Sequence, residues 1–148
     1  MGQRHAELFK SLRPEVLGRL LESRASIDQG FASIPEDVIR PQLDTVLDKM
    51  QSFLATEDID SYRGFASRWI AMRIGEGAPE NLIHTLVAIG DVVGQCAQRQ
   101  LGPGPEYDDF HRALARMSFL GARLLVELLA EELGRRTAPP PAQRGGHR

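Results

Sequence analysis

Between Glu80 and Leu101 the apolar residues recur three and four apart, and this spacing constrains the fold more than any other feature of the chain. Leu82, Leu86, Ile89, Val93 and Cys96 form one seam; Ile83, Val87, Gly90, Gly94 and Ala97 form a stripe beside it. A helix advances about 100° per residue, so both rows fall on one broad arc. The same period recurs along the rest of the chain, and no stretch alternates with period two between turn signals. The spacing therefore predicts an all-α fold, a bundle of five to six helices, in a single domain. A length of 148 residues is enough to bury one sizeable core.

Local signals place the helix ends. A short first helix carries Leu8, Phe9 and Leu12, and Pro14 reads as the first residue of a second helix, where no amide bond is lost. That second helix carries Val16, Leu17, Leu20, Leu21 and Ile27 and fades near Gly30. Ser33, Ile34, Pro35 and Glu36 read as a capping box. The helix after it turns Val38, Ile39, Leu43, Val46, Leu47, Met50, Phe53 and Leu54 inward, with Pro41 as a kink or a later start. The acidic run Ala55–Asp60 opens a helix with Tyr62, Phe65, Ala66, Trp69 and Ile70 or Met72 on its buried side, closed by Gly75 and Gly77. The segment Gly102-Pro103-Gly104-Pro105 separates the helix of the opening stretch from a last helix running from about Glu106 to Gly134. Residues 1–136 thus form a helical sensor or interaction domain. The Pro-, Arg- and Gly-rich residues 137–148 form a disordered tail.

The charge balance narrows the partners. A net charge of -2 and a pI near 6.1 supply no basic face for nucleic acid. No apolar run approaches the roughly 18 residues a membrane span needs. Cys96 is the only cysteine, so neither an internal disulfide nor a multi-cysteine zinc site can form within the chain. The start lacks a long apolar segment, and Ala6 stands where a myristoylation signal wants Ser or Thr. These features fit a cytoplasmic protein. Of 18 basic residues only Lys10 and Lys49 are lysines, a bias that suggests a GC-rich bacterial genome.

Few residues carry candidate chemistry. His84 shares its side of the helix with Ala88, Asp91 and Gln95, which makes it a surface residue rather than a buried ligand. As an exposed histidine it is also an alternative phosphoacceptor. The stretch resembles the histidine-phosphotransfer signature in Leu86 and Gly94, but has Val87 and Ala88 where that family has a lysine and a glycine, so the cation that balances phosphate is missing. A haem-binding globin-type sensor, with His84 or His111 as axial ligand, is the other alternative; His111 sits among Asp108, Asp109 and Arg112, a solvated setting, and His5 and His147 are terminal. Gly90 and Gly94 mark either a tight crossing against Gly121 and Ala122 or room for a flat ligand. A possible apolar pocket takes in Tyr62, Trp69, Gly90 and Gly94.

The segment from Leu47 to Gly102 resembles the N-terminal helical domain of RsbR-type stress-signalling regulators. The likeness lies in a helix ending in Leu-rich turns, an acidic break, a helix with Tyr62 and Ala66, and Arg73 before Gly75 and Gly77. An apolar helix follows. With the flanking helices it covers residues 14 to 133. In that family the domain resembles a globin without haem, dimerises, and serves as a sensory or docking module in front of a STAS domain. Here only a tail follows the last helix, which implies a stand-alone module or a piece of a longer regulator. The resemblance implies no catalytic residue and no cofactor. The residues themselves offer no nucleophile beside a base, no paired metal ligands on one helix face and no phosphate loop. The expectation is a non-catalytic signalling module that acts as a homodimer and docks another signalling protein. Its self-association surface is expected on the last helix at Met117, Leu120, Leu124, Leu125, Leu128 and Leu129, beside Phe119, because these cover more arc than one partner helix needs.

Overall fold

A computed structural model of the protein describes residues 2–27, 32–75 and 81–137. Among these residues there are six helices and no strand: α1 (Gly2–Glu22), α2 (Arg24–Ile27), α3 (Glu36–Thr56), α4 (Asp60–Gly75), α5 (Asn81–Leu101) and α6 (Pro105–Thr137). The all-α bundle expected from the apolar period is the fold. α1 packs on α3 and α5, and α6 packs on α5 and α4. Among the described residues no helix is long and apolar enough to cross a membrane.

Pro14 does not divide the first segment. It lies inside one continuous α1, where it withholds a hydrogen bond from the carbonyl of Lys10. An interior proline costs about 3 kcal/mol. Ala6, Phe9, Leu12, Val16 and Leu20 nevertheless form one buried row across the proline. Burial contributes about 1.5–3 kcal/mol for each large member, which outweighs the lost bond. The expected capping box is also absent. α3 starts at Glu36 with Pro35 as N-cap, and no side chain caps it. The carbonyl of Pro35 accepts from the amides of Val38 and Ile39 instead. Pro41 likewise lies within α3. The inward row of α3 is as expected except at Val38, which is 48% exposed because it lies about 100° from the row headed by Ile39.

No glycine marks the corner between α3 and α4. Glu57 takes the left-handed conformation there (φ 57°), and its amide donates to the carbonyl of Phe53 at 2.6 Å. Asp58 holds the turn from both sides: its amide donates to Thr56 Oγ1, and its carboxylate accepts from the amide of Asp60 at 3.0 Å. At the α5–α6 turn, positive φ angles at Gly102 (70°) and Gly104 (149°) explain the two glycines. The expected ends at Gly30 and Gly77, and the tail from residue 138 onward, lie outside the described residues.

The apolar side chains form two clusters rather than one. The larger joins α1, α2, α3, the second half of α5 and the first half of α6, around Phe9, Leu47, Met50 and Phe110. The smaller joins α4 to Leu86 of α5 and to Leu124, Leu125 and Leu128 of α6. Ile59 and Phe65 touch both. α5 and α6 run through both clusters and approach closely at two points. A side chain at Gly121 would meet Leu86 Cδ2 at 3.0 Å, and one at Gly90 would meet Ser118 Oγ at 3.1 Å. Of the crossing expected at Gly90 and Gly94 against Gly121 and Ala122, only Gly90 is closely approached, and by Ser118 rather than by those residues; nothing lies within 4 Å of a Cβ at Gly94.

Polar pairs join the helices around this core. Arg13 of α1 donates to Asp44 (2.8 Å), to Asp48 (2.5 Å) and to Gln51 (3.1 Å), all of α3. Burial alone would lower its pKa, but hydrogen bonds to Asp48 and Asp44 outweigh that and raise it. Arg99 of α5 pairs with Glu15 of α1. His5 Nε2 lies 2.8 Å from Asp109 Oδ2 and ties α1 to α6.

Two tests follow from the packing. Gly94→Ala is expected to stabilise the protein by about 1 kcal/mol through helix propensity. Gly121→Val should destabilise it by about 1–3 kcal/mol through overpacking against Leu86. Urea midpoints of the two variants check the contrast, and equal shifts would contradict the close approach. The hydrogen bond from His5 holds the Asp109 carboxyl below its ordinary pKa of 3.8. A lowered folded pKa gives stability that is present above the ordinary value and lost as pH falls through the folded one. Asp109→Asn should therefore lower the urea midpoint at pH near 6, and the gap to the parent should close as the pH drops below the ordinary aspartate range.

Candidate functional site

α4 carries apolar residues on two faces. Tyr62, Ala66 and Ile70, four apart, point into the smaller cluster. Phe65, Arg68 and Met72, three and four apart, lie on the neighbouring face with Trp69 between the two. α3 answers with Ile39, Leu43 and Val46, and α5 with Thr85 and Ile89. These rows enclose a cavity of about 360 Å³ between α3 and α4, floored by α5. Its interior is apolar: Ile39, Leu43, Val46, Trp69 and Ile89 are all buried. Phe65 and Trp69 stand with ring centroids 6.0 Å apart along one wall. Gln42, Thr45, Arg68 and Met72 are exposed and form the rim.

The cavity lies where the two clusters fail to merge. Ile39, Leu43, Val46 and Ile89 belong to the larger, and Trp69 to the smaller. Among the described residues Arg68 is the one ionisable residue in the lining. Its guanidinium lies alongside Gly64, one turn earlier. Among the described residues it has no carboxylate partner, whereas ten arginines do: Arg4, Arg13, Arg19, Arg40, Arg63, Arg99, Arg116, Arg123, Arg135 and Arg136.

The four residues expected around one pocket are dispersed. Trp69 lines the cavity. Tyr62 sits in the smaller cluster, where its hydroxyl is buried without a hydrogen-bond partner among the described residues and burial pushes its pKa up to about 12. Gly90 and Gly94 line a different, polar groove between α5 and α6, with Asp91, Tyr107 and His111. Thr85, fully buried in the cavity floor, was not among the sequence candidates. Its signal is the row Thr85, Ile89, Val92, Cys96, which runs beside the expected seam. Leu86, Ile89, Val93 and Cys96 of that seam are buried as expected, and Val87 of the adjoining stripe is exposed. Burial, with Glu15 adding to it, pushes the Cys96 thiol up to about 11.

His84 is exposed on α5, as the angular reading expects. His111 is exposed beside Tyr107, at a centroid separation of 5.7 Å. Neither lines the apolar cavity. Among the described residues no three metal-ligating side chains come together.

The surface expected on α6 needs correction. Met117, Leu124, Leu125 and Leu128 are buried within the chain, and Leu120 and Leu129 are half-buried. Two clusters claim the arc that looked surplus to one partner helix, because α5 and α4 cover it from two sides. The exposed apolar residues are instead Phe119 (67%), Val126 (53%) and Leu133 (43%), roughly 100° away. Comparisons with models of protein families, with curated proteins and with solved structures find no match for this chain.

The orphaned hydroxyl of Tyr62 gives a direct test. Tyr62→Phe removes a buried polar group that has no partner among the described residues, so stability should stay level or rise by up to about 1–2 kcal/mol. A loss in the urea midpoint would mean that the hydroxyl is bonded.

Proposed function

We propose that the protein is a non-catalytic interaction module of the signalling type, acting as a homodimer that engages a further signalling protein. One observation carries this reading: the exposed apolar stripe on the outer side of α6. Phe119, Val126 and Leu133 are seven residues apart, with Ala122 and Leu129 between them. The series Phe-Ala-Val-Leu-Leu at alternating steps of three and four is the pattern of a helix-pairing seam. From Ala130 to Thr137 every residue except Glu132 is exposed, so the end of the helix has little cover from the described residues. Leu133 nonetheless keeps step with Phe119 and Val126. Glu132, paired with Arg135 and Arg136, supports the helix there.

A second copy is the partner that best suits this stripe. A two-fold contact centred on Val126 would set Phe119 of each copy near Leu133 of the other, large against large. The polar clusters support a non-catalytic reading in their turn. Arg13 with Asp44 and Asp48, His5 with Asp109, and Arg99 with Glu15 each join one helix to another. The likeness to RsbR-type helical domains points the same way.

Phe119→Lys combined with Val126→Lys tests the reading. Both positions are exposed, so the variant should keep its helical circular dichroism. Light scattering should give twice the chain mass for the parent and the single chain mass for the variant. A parent that stays monomeric at high concentration, or a variant that stays dimeric, would remove this face from the function.

A further inference from the structure

We propose that the cavity between α3 and α4 binds an organic monoanion with an apolar body, a medium-chain carboxylate, with the acid group at Arg68. The volume, about 360 Å³, lies within the range of roughly 300–1,000 Å³ found for small-molecule sites. The walls are not a surface dent. Ile39, Val46, Trp69 and Ile89 are core residues, so the part of an apolar body that lies against them leaves water, while the open mouth keeps its polar end solvated. The space is too small for a two-chain lipid and suits one unbranched chain lying along Phe65 and Trp69.

The mouth specifies the charge. Among the described residues Arg68 is the sole ionisable group of the lining and, like Arg24 and Arg112 but unlike ten other arginines, has no carboxylate partner. The other polar rim groups, Gln42 and Thr45, are neutral. One cation with neutral hydrogen-bonding neighbours matches one negative charge, and a guanidinium offers a carboxylate two parallel donors. A phosphate dianion would find half of its charge uncompensated. Arg68 is exposed, so its contribution is modest and acts mainly as selectivity, while burial of the chain supplies most of the affinity.

Trp69 is the only tryptophan and stands in the cavity wall, so the unmodified full-length protein reports on its own site. Decanoate and decanol are titrated below their aggregation concentrations, with tryptophan fluorescence and calorimetry as parallel readouts. The expected result is a saturable fluorescence change with decanoate. Arg68→Gln should weaken decanoate about three- to tenfold while leaving decanol unchanged. Val46→Phe, which fills the cavity, should abolish both. Should Val46→Phe fail to fold, Thr45→Phe, at an exposed rim position, obstructs the mouth and carries the same expectation. Three outcomes would overturn the proposal: no saturable signal with decanoate, an equal loss of decanol and decanoate in Arg68→Gln, or decanoate binding that survives the filling variant. The association of α6 is measured separately in the same samples. A monomer that binds decanoate retains this inference and loses that reading, and a dimer indifferent to decanoate does the reverse.

Discussion

The rest of the structure depends on the close approach of α5 and α6. These two helices are the elements that pass through both apolar clusters, and they can do so because Gly121 and Gly90 lack side chains where Leu86 and Ser118 come near. A helical glycine costs about 1 kcal/mol relative to alanine. Here that cost sets two helices against each other over a long stretch, and the remaining helices are arranged around the pair. α1 and α3 cover it at the end marked by Cys96 and Phe110, and α4 covers it at the end marked by Leu86 and Leu125.

Covering one long pair from two ends leaves a junction. The chain turns from α3 to α4 at Glu57 and Asp58, so the two covering helices share a corner. Ile59 and Phe65 close the corner by packing on both clusters. Farther along, at Ile39, Leu43 and Val46 on one side and Trp69 and Met72 on the other, nothing among the described residues fills the space, and the cavity is the result. Its interior is apolar because it is made of the margins of two cores. Its rim is polar because those rows reach the surface at Gln42, Thr45 and Arg68. The site is a consequence of topology, and no short sequence motif encodes it.

That distinction explains which parts could be read from the sequence. The period of three and four is a property of each helix alone, so α3, α5 and α6 could be located closely, and the exposure of His84 followed from angle. Helix ends depend on local chemistry that competes with packing. Pro14 and the Ser33–Glu36 box carry start signals, yet the unbroken buried row of α1 overrides the first, and Pro35 itself takes the N-cap position in place of the second. The pocket expected around Tyr62, Trp69, Gly90 and Gly94 required knowing which faces of α4 and α5 meet which neighbour. Of the four, Trp69 alone lines the cavity, at the boundary between the two faces of α4.

The α6 surface shows the same limit from the other side. A wide apolar arc on a long helix has two explanations, a second molecule or a second cover from the same chain, and the sequence of the helix does not distinguish them. The difference lies in α4. Its Tyr62, Ala66 and Ile70 occupy the arc at Leu124, Leu125 and Leu128, and α5 occupies the arc at Met117. Subtracting those two covers leaves Phe119, Val126 and Leu133. Phe119 alone would be an ordinary exposed side chain. Three large apolar residues in heptad register, continued into turns with little cover from the described residues, are what remains when the covers from α4 and α5 are taken away. That remainder is a more selective guide to a partner surface than the hydrophobicity of the helix as a whole.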